Sequence, residues 1–466
     1  MSTTHAPGPV VAIDQTLCTG CRRCAAVCPV GAISGNDGEP QRIDAAVCVQ
    51  CGQCVQICAA FASPFDDAPR DLPALRRERG LPGNDATPLF AAHTRNEAGL
   101  VETLLADPAR TTMVQCAPAV RAAIAEEFGL PAGALTPGRL AAALRRLGFA
   151  AVYDTDFAAD VTIMEESAEL LTRLESGDAL PMFTSCCPGW VRHLETAWPD
   201  LLPGLSSCKS PQQMAGALFK TYGAQLAGVA PEAVASVSVM PCTAKKYEAA
   251  RPEMRSSGSR DVDAVLTVAE LAALLLARGI DLPALPEEAF DEPLGRSSGA
   301  GAIFGASGGV MEAALRTAVA VLTGDKVSDS GVRFEETAPG VRRADVTVGD
   351  RTVRAVVVSG LANAAPLLEA VRAGRADFDF MEVMCCPGGC VGGGGQPKLL
   401  PGVDVAAALA ARRESLHRHD RELPIRASHE NPAVIRLYET FLGKPLGERS
   451  HALLHTGYGD AAGEHV

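Results

Sequence analysis

The sequence predicts a small cysteine-rich α+β module followed by a larger α/β domain built on parallel strands. Three observations carry that expectation. Residues 1–62 hold two copies of one cysteine spacing. From Thr111 onward, short β-branched runs alternate with helical patterns. At 466 residues, the chain also exceeds what one hydrophobic core usually organises.

In the module, Cys18, Cys21, Cys24 and Cys28 follow C-x2-C-x2-C-x3-C-Pro. Cys48, Cys51, Cys54 and Cys58 repeat the spacing, with Ala59 in place of the proline. Residues 63–110 carry Pro64, Pro69, Pro73, Pro82 and Pro88 among many charges and read as an irregular or partly helical linker. Beyond it, residues 112–114 form a short strand candidate and 119–128 a helix. Residues 150–154 are strand-like and 158–175 helical. The β-branched runs 235–240 and 354–359 end at a motif or a glycine, and 362–373 reads as a helix. The run 266–282, broken by Glu270 and Arg278, reads as a core helix and not a membrane span. The tail from Pro401 is mostly helical. Parallel sheets bind ligands beyond their strand ends, and Met240-Pro-Cys242 directly follows a Val/Ser strand.

A composition of 47% hydrophobic and 21% charged residues is that of a globular protein. Sixteen cysteines are clustered as C-x-x-C units, which favours metal ligation in a reducing compartment over disulfides. A formal charge of −13 without a Lys/Arg stripe argues against nucleic-acid binding. Residues 1–9 lack a charged start followed by an apolar stretch, so a cytoplasmic location without membrane insertion is expected.

A C-x2-C-x2-C triplet presents three thiolates from one tight loop, and in two-cluster ferredoxins the fourth comes from the other motif. Cys18, Cys21, Cys24 and Cys58 are therefore assigned to one 4Fe–4S cluster. Cys48, Cys51, Cys54 and Cys28 are assigned to a second. The alternative is a zinc module, which normally uses paired C-x2-C units.

Three further runs carry cysteines: Thr184-Ser-Cys-Cys-Pro-Gly-Trp190, Met240-Pro-Cys-Thr-Ala-Lys-Lys-Tyr-Glu248 and Met384-Cys-Cys-Pro-Gly-Gly-Cys-Val-Gly-Gly-Gly-Gly-Gln-Pro397. Two thiols four residues apart among six glycines let a backbone close around something bulky. These runs resemble the three active-site signatures of iron–iron (FeFe, iron-only) hydrogenases, and the resemblance covers about residues 10–62 and 111–460.

The resemblance implies a two-lobed catalytic domain over 111–400, wrapped by a C-terminal segment over 401–466. It implies that Cys187, Cys242, Cys386 and Cys390 hold a 4Fe–4S cubane, with Cys390 bridging to a two-iron unit that carries CO, cyanide and an azadithiolate (together the H-cluster). Lys245 would pair with a cyanide ligand, while Lys245 and Lys246 could each also be exposed. Met240 and Met384 would be thioether walls or ordinary core, and Ala117 and Pro118 would lie beside the pocket.

Cys186 precedes a ligand, so its thiol stays free to pass a proton. Glu166, Glu169 and Arg173 share one face of a helix. By periodicity alone that face is a solvated charged surface. The resemblance instead implies a proton chain from Arg173 through Glu169, Ser206, Glu166 and Cys186.

The implied reaction is 2H⁺ + 2e⁻ ⇌ H₂, with ferredoxin as redox partner and dedicated maturation enzymes installing the two-iron unit. A hydrogen sensor and a non-catalytic iron–sulfur assembly relative are the rival readings. Two positions depart from the family: Ala119, where a serine is usual, and Cys385, where an alanine is usual. Cys116 and Cys208 are expected to be structural thiols, and the histidines of 450–458 packing or surface residues.

Overall fold

The computed structural model describes residues 8–62, 89–324, 332–348, 351–400 and 402–459. In the N-terminal module three tiny antiparallel pairs frame the cysteine loops. β1 (Val11–Ile13) pairs with β6 (Ala92–Thr94), β2 (Ile33–Ser34) with β3 (Arg42–Ile43), and β4 (Phe61–Ala62) with β5 (Leu89–Phe90). The sequence repeat is also a structural repeat. Each C-x-x-C turns through a left-handed residue, Arg22 (φ 57°) or Gly52 (φ 73°), into a short helix, Arg23–Ala26 or Gln53–Ile57. Arg22 is exposed and tolerates that conformation. At Gly52 a Cβ would stand 2.7 Å from Thr243 Oγ1 and 3.0 Å from Gly394 Cα, so only glycine fits against the neighbouring domain.

The segment expected to be a linker differs from that reading where it is described. Residues 63–88, with the five prolines, lie outside the described residues. In the remainder, β5 and β6 complete the module's sheets, because Leu89, Ala91 and Ala92 close its small core against Leu17 and Cys58. The helix Ala98–Ala106 buries Ala98 and Val101 in the core of the larger domain.

That domain has two sheets. β7 (Thr111–Cys116), β8 (Ala151–Asp154), β10 (Val234–Met240) and β11 (Ala264–Thr267) are all parallel, in the order β11-β10-β7-β8. Every residue of β10 is buried, and its Val, Ala and Ser side chains suit a strand covered on both faces. The second sheet has the order β12-β13-β14-β15-β9. β14 (Arg351–Ser359), β15 (Phe380–Met384) and β9 (Met182–Phe183) run parallel. β12 (Glu335–Ala338) and β13 (Val341–Val348) extend it as an antiparallel meander.

The run 266–282, expected as one helix, is the end of β11 followed by the helix Val268–Ala277. A capping box makes the switch. Thr267 Oγ1 accepts the Glu270 amide at 3.2 Å, and Glu270 Oε2 accepts the Thr267 amide at 3.0 Å. The helix expected over 119–128 tightens after Ala123 into a 3₁₀ turn, Ile124–Phe128.

The tail forms the helices Val405–Glu422, Pro432–Leu437 and Glu448–Leu454. Buried Arg412 anchors it, donating to both Glu126 oxygens at 2.7 and 2.6 Å and to the Val391 carbonyl at 2.9 Å. Among the described residues, no helix is long and apolar enough to cross a membrane.

Candidate metal centre

In the module, the structure brings Cys18, Cys21 and Cys24 together with Cys58 around a cavity of about 300 Å³. Cys48, Cys51 and Cys54 meet Cys28 around another of about 330 Å³. The last cysteine of each motif thus crosses to the other's loop. Backbone amides point at these sulfurs: Gln41 N lies 3.3 Å from Cys18 Sγ, Ala32 N 3.2 Å from Cys28 Sγ and Ala92 N 3.3 Å from Cys58 Sγ. Of the eight thiols only Cys21 is exposed.

A larger cavity of about 810 Å³ lies where the C-terminal ends of both sheets meet. β10 runs straight into Pro241-Cys242, and β15 into Cys385 and Cys386. From β9 the chain reaches Cys186 and Cys187, and Cys187 caps the helix Pro188–Ala197, whose positive end faces the sulfur. Cys390 opens the 3₁₀ turn Cys390–Gly392. The glycine-rich run closes the floor at backbone contact. A Cβ on Gly393 would sit 2.2 Å from the Pro241 carbonyl oxygen, and one on Gly394 would sit 2.4 Å from that of Cys51. Cys187, Cys242, Cys386 and Cys390 all line this cavity, together with Met240, Met384, Pro118, Ala119, Lys245 and Cys385.

The donor set fits an iron–sulfur group. Burial and the neighbouring sulfurs push Cys187 up to about 11 and Cys390 up to about 12. Four thiolates cannot share this space without positive charge among them. All sixteen cysteines are free. A structural zinc ion would draw four sulfurs to about 2.3 Å and leave no such volume. Soft sulfur donors around a large cavity instead suit a cluster.

Lys245 is buried and carries its own counter-ion. Its Nζ donates to Glu248 Oε1 and Oε2 at 3.1 and 3.0 Å and to the Cys186 carbonyl at 3.0 Å. Burial opposes its charge, but Glu248 and Cys242 outweigh that, and its pKa rises. Glu248 was not singled out in the sequence, although Lys-x-x-Glu on a helix marks such a pair. Lys246 is not exposed either, since it pairs with Glu270 at 2.6 Å.

Glu166, Glu169 and Arg173 lie on the helix Thr155–Ser176, with both carboxylates buried. Arg173 Nη2 donates to Glu169 Oε1 at 2.6 Å, and Ser206 Oγ donates to Glu169 Oε2 at 2.7 Å. The expected link from Ser206 to Glu166 is absent from the hydrogen bonds. The single hydroxyl proton of Ser206 is committed to Glu169, while its oxygen accepts the Cys208 amide at 3.2 Å. Among the described residues, neither Glu166 oxygen has a hydrogen-bond partner of ordinary geometry. Burial, then the charges of Glu169 and Glu382, push Glu166 up to about 8. Burial and the charge of Glu166 hold the Cys186 thiol well above its usual range.

Cys116, the last residue of β7, packs in the apolar core. Cys208, expected to be purely structural, has its Sγ 3.8 Å from Glu169 Oε2. His455 is buried and bonded to Glu165 at 3.0 Å, unlike the surface residue His451.

Known families match the chain in three successive pieces. Residues 10–59 match a 4Fe-4S dicluster domain. Residues 110–394 match the iron only hydrogenase large subunit, C-terminal domain, and 406–461 the iron hydrogenase small subunit. The NADP-reducing hydrogenase subunit HndD of Solidesulfovibrio fructosivorans is 53% identical over 362 residues, 76% of this chain and 61% of that protein. The chain thus spans less than two thirds of that relative. The periplasmic [Fe] hydrogenase large subunit of Nitratidesulfovibrio vulgaris is 43% identical over 409 residues, 86% of this chain and 90% of its own. The solved apo [FeFe]-hydrogenase HydA1 of Chlamydomonas reinhardtii superposes with a TM-score of 0.70 at 42% identity, covering 78% of this chain and 98% of that one. Two sheets that aim their strand ends at four shared cysteines, and three matched pieces in order on one polypeptide, make this chain a member of the iron-only hydrogenase family.

Proposed function

We propose that this protein is a hydrogenase catalysing 2H⁺ + 2e⁻ ⇌ H₂. The observation that carries the reading is the convergence of Cys187, Cys242, Cys386 and Cys390 on one large cavity. These four would hold a 4Fe–4S cubane, with Cys390 shared with a two-iron unit bearing CO, cyanide and azadithiolate, the whole being an H-cluster. When bound, the two-iron unit with the amine of its bridge supplies the making and breaking of the H–H bond. Met240, Met384 and Pro118 keep the cavity wall apolar, and Lys245 offers positive charge for a cyanide beside its Glu248 partner.

Protons move along side chains of the chain itself. Cys186 stays a neutral thiol and can give up and recover a proton at Sγ. Glu166, titrating at about 8, holds one near neutral pH. Arg173, Glu169 and Ser206 form the outer end of this route, and a gap without a direct hydrogen bond separates Ser206 from Glu166. Glu166 has no direct hydrogen bond to Cys186 either, so a water on each side of Glu166 would complete the path.

Cys18, Cys21, Cys24 and Cys58 would hold one accessory 4Fe–4S cluster, and the exposure of Cys21 makes this set the entry point for electrons from a partner. Cys28, Cys48, Cys51 and Cys54 would hold the second, which would relay electrons inward, since Cys51 lines both their cavity and the large one. Reduced ferredoxin is the proposed donor in the cytoplasm, and dedicated maturation enzymes install the two-iron unit. A nucleotide-linked partner, suggested by the name of the HndD relative, is the competing outcome.

The test is infrared spectroscopy of the matured protein in the CO and cyanide region, with H₂ evolution from reduced methyl viologen and from ferredoxin. Bands and turnover are expected together. Intact cubanes with neither would assign the chain to a non-catalytic assembly role.

A further inference from the structure

We infer that the C-terminal segment takes part in proton delivery, with His455 as a positioning residue that holds Ser206 and Ser207 against Glu169. This rests on the hydrogenase reading above. The loop 205–209 is gripped from two sides. Toward Glu169, Ser206 Oγ donates at 2.7 Å, and the Ser207 amide donates to Oε1 and Oε2 at 3.2 and 3.3 Å. Toward the tail, the Thr456 amide donates to the Ser207 carbonyl at 2.8 Å. The Lys209 amide donates to the Leu454 carbonyl at 2.8 Å.

His455 joins these two sides. Its Nε2 lies 3.0 Å from Glu165 Oε2 and its Nδ1 lies 2.8 Å from Ser207 Oγ. Glu165 also accepts from the Tyr438 hydroxyl at 2.6 Å and the Leu446 amide at 2.8 Å, so it is an acceptor to all its neighbours. With its Nε2 proton given to Glu165, the imidazole presents a lone pair at Nδ1. Ser207 donates its hydroxyl proton there. The chain Glu165–His455–Ser207 therefore ends on the same carboxylate that Arg173 and Ser206 hold. Every link but Ser207 is buried, and a lost partner at such a place leaves an unpaired polar group.

The ligand atoms of Glu169, Cys208 and His455 also lie within 4.8 Å of one another, the spacing of a metal site. Arg173 already supplies the positive charge at Glu169, and both His455 nitrogens have protein partners. The trio is therefore a hydrogen-bond network.

The experiment compares two variants of the full-length holoprotein. His455→Phe keeps a ring and loses both bonds. His455→Gln can donate to Glu165 and accept from Ser207. His455→Phe is expected to lower H₂ evolution about tenfold or more and to raise the solvent deuterium isotope effect, with CO and cyanide bands unchanged. His455→Gln should recover both to within about threefold.

A second measurement needs no turnover. In the chain carrying cubanes but no two-iron unit, amide exchange at 206–208 should quicken in His455→Phe and in Ser207→Ala, and should return toward wild type in His455→Gln. Equal behaviour of the Phe and Gln variants, or unchanged exchange in Ser207→Ala, overturns the inference. Should His455→Phe not fold, Ser207→Ala decides alone. A wild-type holoprotein that forms no H₂ overturns the hydrogenase reading, and the exchange comparison still decides whether His455 holds this loop.

Discussion

The N-terminal module and the large cavity both gather four thiols at a time, but they do so by opposite means. In the module, three cysteines come from one loop, and the supporting strands are two or three residues long. Its apolar clusters are small, one of them built on Leu17, Ala60, Leu89, Ala91 and Ala92. So little burial scarcely offsets chain entropy, and metal–sulfur bonds have to supply the rest. At the cavity, Cys187 and Cys390 are 203 positions apart, and Cys187, Cys242 and Cys386 each follow a strand already fixed by an extensive core. There the fold precedes the metal; in the module the metal makes the fold.

Iron removal tests that contrast most severely. After chelation under reducing conditions, amide protection across residues 10–59 should vanish, while β7, β10, β14 and β15 stay protected. Uniform loss, or uniform retention, would break the comparison.

The next effect concerns what the cavity needs beyond its ligands. Cys186→Ala and Glu169→Ala, made separately, should each cut H₂ turnover about 10²- to 10⁴-fold while iron content and infrared bands remain. Normal evolution in both would remove the proton route.

A smaller effect follows from Glu166. Its folded pKa of about 8 lies above the ordinary 4.5. Between those values the folded chain retains a proton that the unfolded chain has released. Stability therefore falls as pH rises through this window, and the full cost is present above about 8. Glu166→Gln should stabilise the protein by a few kcal/mol above pH 8 and hardly at all near 4.5. Denaturant titrations of both proteins at several pH values check this, and parallel pH profiles would contradict it.

The smallest effect is at the seam between the two regions. Cys385 is buried, its amide is 3.4 Å from Cys187 Sγ, and it shares the large cavity with Cys51. Hydrogen bonds near cluster sulfurs tune reduction potentials. Cys385→Ala and Ala119→Ser should therefore shift the catalytic potential and bias without loss of folding. Voltammetry that shows neither shift would leave these positions as packing only.

What was legible in the sequence was local. The strands β7, β8, β10 and β14 announce themselves by short apolar or β-branched runs, such as Val356-Val357-Val358 in β14 and Val234, Val237 and Val239 in β10. The meander β12–β13 does not, because Glu335, Glu336, Arg342 and Arg343 put charge where a buried strand would show apolar residues. β9 has only two residues and exists as a strand because β15 pairs with it. The same division runs through the site. Glu169 and Arg173 are one helical turn apart, and their contact follows from periodicity. Glu169 and Ser206, or Ser207 and His455, are joined only by the folded chain, and no pattern in sequence marks such pairs.

The sequence by itself determined the chemistry on offer: which thiols come in sets, and which elements carry them. Those depend on residue type and on spacings of a few residues. The tertiary structure alone decided which remote donor faces which acceptor, and hence that Ser206 serves Glu169 and that Lys245 reaches the Cys186 carbonyl. Charge and hydrogen bonding depend on distance in space and on exclusion of water, and both are set only when remote segments pack together.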